Sequence, residues 1–323
     1  MFSSENQANP GIEQAANPIV WPPSLILVFL LLCILFSSML GLGIIYALGA
    51  ANGLAYEAIF DLLNESSTAS DRNFVRLTVM INHLSMFVLP AIAVAVFLFR
   101  KTWMRFLHID QSPKGQQILW GSLLILVALP LAQFSFWLNK QIELPAWASS
   151  MEEQTGQMVN QLLQADYGLE VLFNVLIIAL IPAIGEELVF RGILQKQIER
   201  QLKEPIGAIW LSAILFSAFH LQFEGFLPRM LLGALLGYLL YWTGNLWVPI
   251  VAHFFNNASQ VIVQYLYKAE FDQIDAALLQ QGQWLPAIIS LLLVLGISRI
   301  LQQQKSPKNH QPPDAGGQFK PSL

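Results

Sequence analysis

Charge is scarce in this chain. Of its 323 residues only 12% are Asp, Glu, Lys or Arg, about half of the ~25% usual in a soluble domain. Such a chain cannot clothe itself in a charged skin, which argues against a water-soluble globular fold. No basic cluster is present, which argues against a nucleic-acid partner. The single cysteine, Cys33, lies inside an apolar run, so no intrachain disulfide can form and a packing role is expected. Local signatures of hydrolytic chemistry are missing too. There is no HExxH of the common zinc proteases and no GxSxG of a serine nucleophile. No aspartate falls within any predicted membrane span, which weakens aspartyl chemistry. No internal repeat is visible.

Apolar sequence fills the chain instead. Hydrophobic residues make up 55% of it, in continuous runs rather than the alternation of a β-barrel. Runs of about 20 apolar residues are long enough to cross a bilayer as helices. The predicted spans are 24–50, 77–99, 118–138, 171–191, 206–221, 226–242, 246–265 and 284–301. From Met230 to Tyr267 there is no charged residue, and Thr243-Gly244-Asn245 supplies the turn that splits this stretch in two. The fold class is all-α: a polytopic membrane protein of about eight transmembrane helices. Residues 1–23 read as a polar cytoplasmic N-terminus and 24–165 as the first three spans with their loops. Residues 166–301 read as a second membrane segment, helices four to eight, and 302–323 as a disordered cytoplasmic tail rich in Pro, Gln, Lys and Gly. The first apolar run is too long for a signal-peptide core.

Basic residues of short loops face the cytoplasm. Arg100, Lys101, Arg105 and Lys114 follow the second span, Lys196, Arg200 and Lys203 the fourth, and Lys305, Lys308 and Lys320 lie in the tail. The loops after spans one, three and seven are mainly acidic: Glu57, Asp61, Glu65 and Asp71; Glu143, Glu152, Glu153 and Asp166; Glu270, Asp272 and Asp275. Both termini are therefore expected in the cytoplasm, and the location is a multi-pass protein of the cell membrane. Prolines inside spans, at Pro90, Pro130, Pro182 and Pro249, are expected to bend helices whose freed carbonyls neighbours satisfy. Gly233 and Gly237 form a GxxxG that permits close helix approach.

Few strongly polar groups fall in the later spans. They are Glu186, Glu187 and Arg191 on the fourth, His220 at the end of the fifth, and His253, Asn256 and Asn257 on the seventh. Ionisable residues at membrane depth are costly, and their default reading is functional. Glu187 and Arg191 are spaced i, i+4 with the acid first, the favourable order for a pair. Glu186 points ~100° away and is free to face a cavity. His253 and Asn257 share a face at the same spacing. A carboxylate in an apolar pocket makes a base that, beside an imidazole, can deprotonate water. A second imidazole and a carboxamide can stabilise an oxyanion. Hydrolysis of an amide by activated water uses all four groups. Two histidines and a glutamate are also a common catalytic zinc set, here Glu186, His220 and His253. The plainer alternatives are a helix-end ion pair for Glu187 and Arg191, a snorkelling carboxylate for Glu186 and satisfied core histidines. Asn256 reads as a local hydrogen-bonder and His83 as structural, while His108 and His310 read as solvated or interfacial.

Glu186–Arg191 reads EExxxR, Phe216–His220 FxxxH and His253–Asn257 HxxxN. In this order on separate membrane helices the motifs resemble those of the CPBP family of intramembrane proteases, also called the CAAX prenyl protease 2, Ras-converting-enzyme-like or ABI family. The resemblance covers Val171–Tyr265, and none of the three motifs departs from the pattern. It implies an eight-helix fold with a cavity open toward the cytosol and a membrane-associated substrate that, in eukaryotic relatives, is a prenylated CAAX terminus. It further implies that Glu186 and His220 activate water, that His253 and Asn257 stabilise the oxyanion, and that Glu187 and Arg191 support the site. A metal-free glutamic mechanism is favoured over zinc, because one carboxylate with separated donors can do the chemistry without a charged ion. A non-catalytic immunity or regulatory protein of the same fold and a proton-coupled transporter are the competing readings. For Glu186 to meet His220, the fourth helix must continue past Arg191 through Gly192–Leu202.

Overall fold

A computed structural model describes residues 21–64, 66–267 and 284–303. The polar residues 1–20, Glu65, the acidic loop with Glu270, Asp272 and Asp275, and the tail with Lys305, Lys308, His310 and Lys320 lie outside the described residues. Among the described residues all regular structure is helical. The long helices are α1 (Pro23–Ala51), α2 (Ala69–Leu107), α3 (Gly115–Asn139), α4 (Ala146–Leu163), α5 (Gly168–Leu202), α6 (Pro205–Phe219), α7 (Phe226–Thr243), α8 (Trp247–Leu266) and α9 (Trp284–Gln303). All but α4 coincide with predicted spans, and the chain is an all-α polytopic membrane protein. Among the described residues six helices, α1, α2, α3, α5, α7 and α9, are long and apolar enough to cross a membrane. α6 is apolar but only 15 residues long. α8 falls short in apolar character because it carries His253, Asn256 and Asn257.

Helix α4 corrects the sequence reading, which left 139–167 as an acidic loop. Its Glu152 and Glu153 hide an amphipathic pattern in which Ala148 and Leu162 are buried. The following turn is tied to α2 by charge. Glu170 receives Arg72 at 2.9 Å and Arg76 at 2.8 Å, and all three side chains are buried. Buried charges persist only when paired in this way.

Three helices are interrupted and mended. In α2 a π-helical turn spans Leu84–Val88, and in α5 another spans Val175–Leu180. Pro90 and Pro182 follow within two residues. Proline has no N–H and crowds the carbonyl four residues back; a widened turn relieves both problems. In α3, Pro130 lies in a break that α9 mends. The Ser290 hydroxyl accepts the Leu131 N–H at 3.3 Å and donates to the Val127 carbonyl at 2.5 Å, bridging the missing helical bond. Pro249 sits in the first turn of α8, where no donor is needed.

Two apolar cores flank the interior. One joins α1, α2 and α5 through Ile26, Phe87, Val94, Leu188 and Ile193. The other joins α3, α7, α8 and α9 through Leu124, Leu239, Val248 and Val294. The basic connections meet at one end, where Lys196 donates to the Phe106 carbonyl and lies 5.2 Å from the Phe106 ring. His108, expected to be solvated or interfacial, is half-buried there. Its Nδ1 lies 2.8 Å from the Gly244 carbonyl, and its own carbonyl accepts Leu246 N–H at 3.0 Å.

Candidate active site

The site is built on α5. The helix continues through Leu202, with a third π-helical turn at Phe190–Gln195, so the expected continuation past Arg191 is present. Glu186 therefore lies ~24 Å from the Leu202 end, and His220 ~22 Å from the start of α6, at ~1.5 Å per residue. The two reach the same depth.

Glu187 is held through one carboxylate oxygen. Its Oε1 accepts Arg191 Nη1 at 2.7 Å, the i, i+4 pair read from the sequence, and lies 2.9 Å from His253 Nδ1. Both Glu187 and Arg191 are 0% exposed. Arg191 also donates Nη2 to the Gly233 carbonyl at 2.7 Å and stacks 4.6 Å from the centroid of the Phe216 ring. One turn along, Gln195 Nε2 donates to the Gly237 carbonyl at 3.3 Å. The GxxxG of α7 thus does more than let helices approach: bare backbone at both glycines offers carbonyls to polar side chains of α5. An added Cβ at Gly237 would come 2.7 Å from Gln195 Oε1 and 3.0 Å from Ile209.

Glu186 has no guanidinium partner. It is 5% exposed and lies between two imidazoles, with Oε1 3.2 Å from His83 Nε2 and Oε2 3.7 Å from His253 Nε2. The two glutamates are not as separate as helical spacing implies, because His253 touches both. His220 lies within electrostatic reach of Glu186 without a direct hydrogen bond. Its Nδ1 lies 2.9 Å from the Phe216 carbonyl, which leaves Nε2 for other contacts. Phe216 explains the FxxxH spacing: its carbonyl orients His220, and its ring meets His220, His253 and Arg191 edge-on or face-on. Asn257 is half-buried one turn beyond His253 and receives a 2.9 Å hydrogen bond from Asn256 Nδ2. No hydrogen bond joins Asn257 to either glutamate.

His83, read from the sequence as structural, is the side chain outside the motifs that meets Glu186. It lies on α2, far from every motif, and only its polarity inside an apolar span signalled it. Zinc at the expected set would need donors of Glu186, His220 and His253 to converge on one point. Among the described residues no three His, Cys, Asp or Glu side chains converge as a metal-ligand group. The nearest imidazole nitrogens are turned to carboxylates and a carbonyl instead.

Comparison with known proteins supports the same region. Residues 168–259 match the family model of the type II CAAX prenyl endopeptidases, Rce1-like. A Bacillus subtilis (strain 168) protein described as the uncharacterized protein YpbD is 33% identical over 89 residues, covering 26% of this chain and 42% of that protein. The chain thus spans less than half the length of this curated relative. No solved structure matches. The three motifs all fall inside residues 168–259, and over this segment the resemblance is to the Rce1-like type II CAAX prenyl endopeptidases.

Proposed function

We propose that the protein is an intramembrane endopeptidase that hydrolyses a peptide bond of a membrane-associated substrate with water activated by Glu186. One observation carries the reading: of two adjacent buried carboxylates, Glu187 is held by Arg191 while Glu186 has only imidazole neighbours. A carboxylate neutralised by a guanidinium is a poor base; one among imidazoles can accept and pass a proton.

In this reading Glu186 takes a proton from water as the oxygen attacks the scissile carbonyl. The carbonyl π-electrons move to oxygen, where His253 and the Asn257 amide stabilise the charge. The tetrahedral intermediate then collapses, the C–N bond breaks, and the amine leaves with the proton returned by Glu186 or His220. Burial strengthens each electrostatic contribution. Arg191 and Glu187 fix the Nδ1 side of His253. The basic connections between α2 and α3 and between α5 and α6 lie at the cytoplasmic face, with both chain termini on that side, and the cell membrane is the site of action.

The test uses purified protein in liposomes with lipid-anchored reporter peptides, prenylated and unprenylated, and mass spectrometry of products. Glu186→Gln should abolish cleavage while the protein stays folded. Unchanged cleavage by that variant would overturn the reading.

A further inference from the structure

Glu186 is gripped from a helix that carries none of the motifs. His83 on α2 places Nε2 3.2 Å from Glu186 Oε1, across 103 residues of sequence. The imidazole is only 19% exposed and packs on Phe87, with ring centroids 4.7 Å apart. Resting on the endopeptidase reading, we propose that His83 is a positioning residue that holds the Glu186 carboxylate in the orientation needed to take a proton from water.

Three features of the backbone serve this contact. His83 is the last residue before the π-helical turn Leu84–Val88. A π-helical turn carries one extra residue and re-aims the side chains beside it. Second, α2 and α5 approach at Gly185, the residue next to Glu186. A Cβ there would lie 2.9 Å from Phe87 Cβ and 3.0 Å from Val88 Cγ2, both close to the backbone and unable to swing away. Third, the Phe87 ring that supports His83 also meets Phe190 at 6.3 Å and Phe219 at 5.5 Å, tying the imidazole to α5 and α6. Glu186 cannot be held on this side from its own helix, because Glu187 and Arg191 point elsewhere. With Nε2–H donated to Oε1, one carboxylate oxygen is fixed and the other, Oε2, is left toward His253 for water.

The geometry assigns orientation, not proton transfer, to His83, and this distinction is testable. A glutamine side chain can carry a donor N–H close to the position of Nε2 but cannot relay a proton. His83→Ala should lower kcat by about 10- to 100-fold with KM changed less than about 3-fold, the signature of a misplaced catalytic group. His83→Gln should recover activity to within about 5-fold of the parent. A readout that needs no turnover is the infrared carboxylate band of Glu186, identified by subtracting the spectrum of Glu186→Gln. It should shift in His83→Ala and return in His83→Gln. An unshifted band in folded His83→Ala overturns the proposal. So does a restored band in His83→Gln with activity still lost, which would make the imidazole a proton carrier. If the parent protein cleaves nothing while the band shifts as expected, the positioning contact stands and the endopeptidase reading fails.

Discussion

His253 Nδ1 lies 2.9 Å from Glu187 Oε1, so the second glutamate of the EExxxR motif orients an imidazole as well as pairing with Arg191. From spacing alone Glu187 is expected to act only as the partner of Arg191. Glu187→Gln should therefore reduce turnover through His253, by about 10-fold or more, as well as lower stability. Glu187→Ala should be far worse for the fold, because it strands the fully buried Arg191. Loss of one partner of a buried pair costs about 3–5 kcal/mol. Thermal unfolding in detergent, set beside kcat, separates the two effects.

Gly185→Ala should destabilise the protein by about 1–3 kcal/mol, the usual cost of overpacking. Its Cβ would collide with Phe87 Cβ and Val88 Cγ2 and push α2 away from α5. Gly237→Ala should cost less, because its closest obstacle is the Gln195 carboxamide oxygen at the end of a long side chain. Denaturation midpoints for both variants give the ordering. Equal losses would contradict it.

Metal removal tests the choice of a metal-free reaction. Treatment with a strong chelator should leave peptide cleavage unchanged. Loss of cleavage that zinc alone restores would assign the chemistry to a Glu186, His220 and His253 centre instead.

Acid should weaken the end of the helix bundle that carries the basic connections, through His108. The neighbouring Lys196 ammonium, ahead of burial, pushes this imidazole from 6.5 down to about 4. The native state thus resists a proton that the unfolded chain accepts. Stability contributed by neutral His108 is complete above pH 6.5 and is lost as the pH falls from 6.5 toward 4. The integrated effect is on the order of 3 kcal/mol. His108 has φ of 59°, in the left-handed region that asparagine tolerates. His108→Asn should keep the backbone and flatten the stability profile in this window, as read by melting temperature against pH.

Much of the architecture is written in short-range sequence. Helices α1, α3 and α9 follow from uninterrupted apolar runs, since a bilayer leaves a single chain segment no other way to satisfy its backbone. The Glu187–Arg191 pair is legible because both partners ride one helix, a turn apart. The FxxxH spacing is likewise local, with the Phe216 carbonyl meeting His220 Nδ1 one turn later. Helix α4 escaped notice because its two adjacent glutamates outweigh a narrow apolar face in any reading by hydropathy.

What the sequence determined by itself was an all-α membrane chain and a set of polar residues at helical spacing, since both depend on neighbours within a turn or a span. Only the tertiary structure decided which imidazole serves which carboxylate. His83 meets Glu186 across 103 residues and His253 meets Glu187 across 66. Those distances depend on the bare Cα of Gly185 and on how α8 settles beside α5. The π-helical turn before Pro90 sets the direction of His83 in the same way. Each is a property of packed surfaces, and no periodicity along one helix encodes where another helix will lie against it.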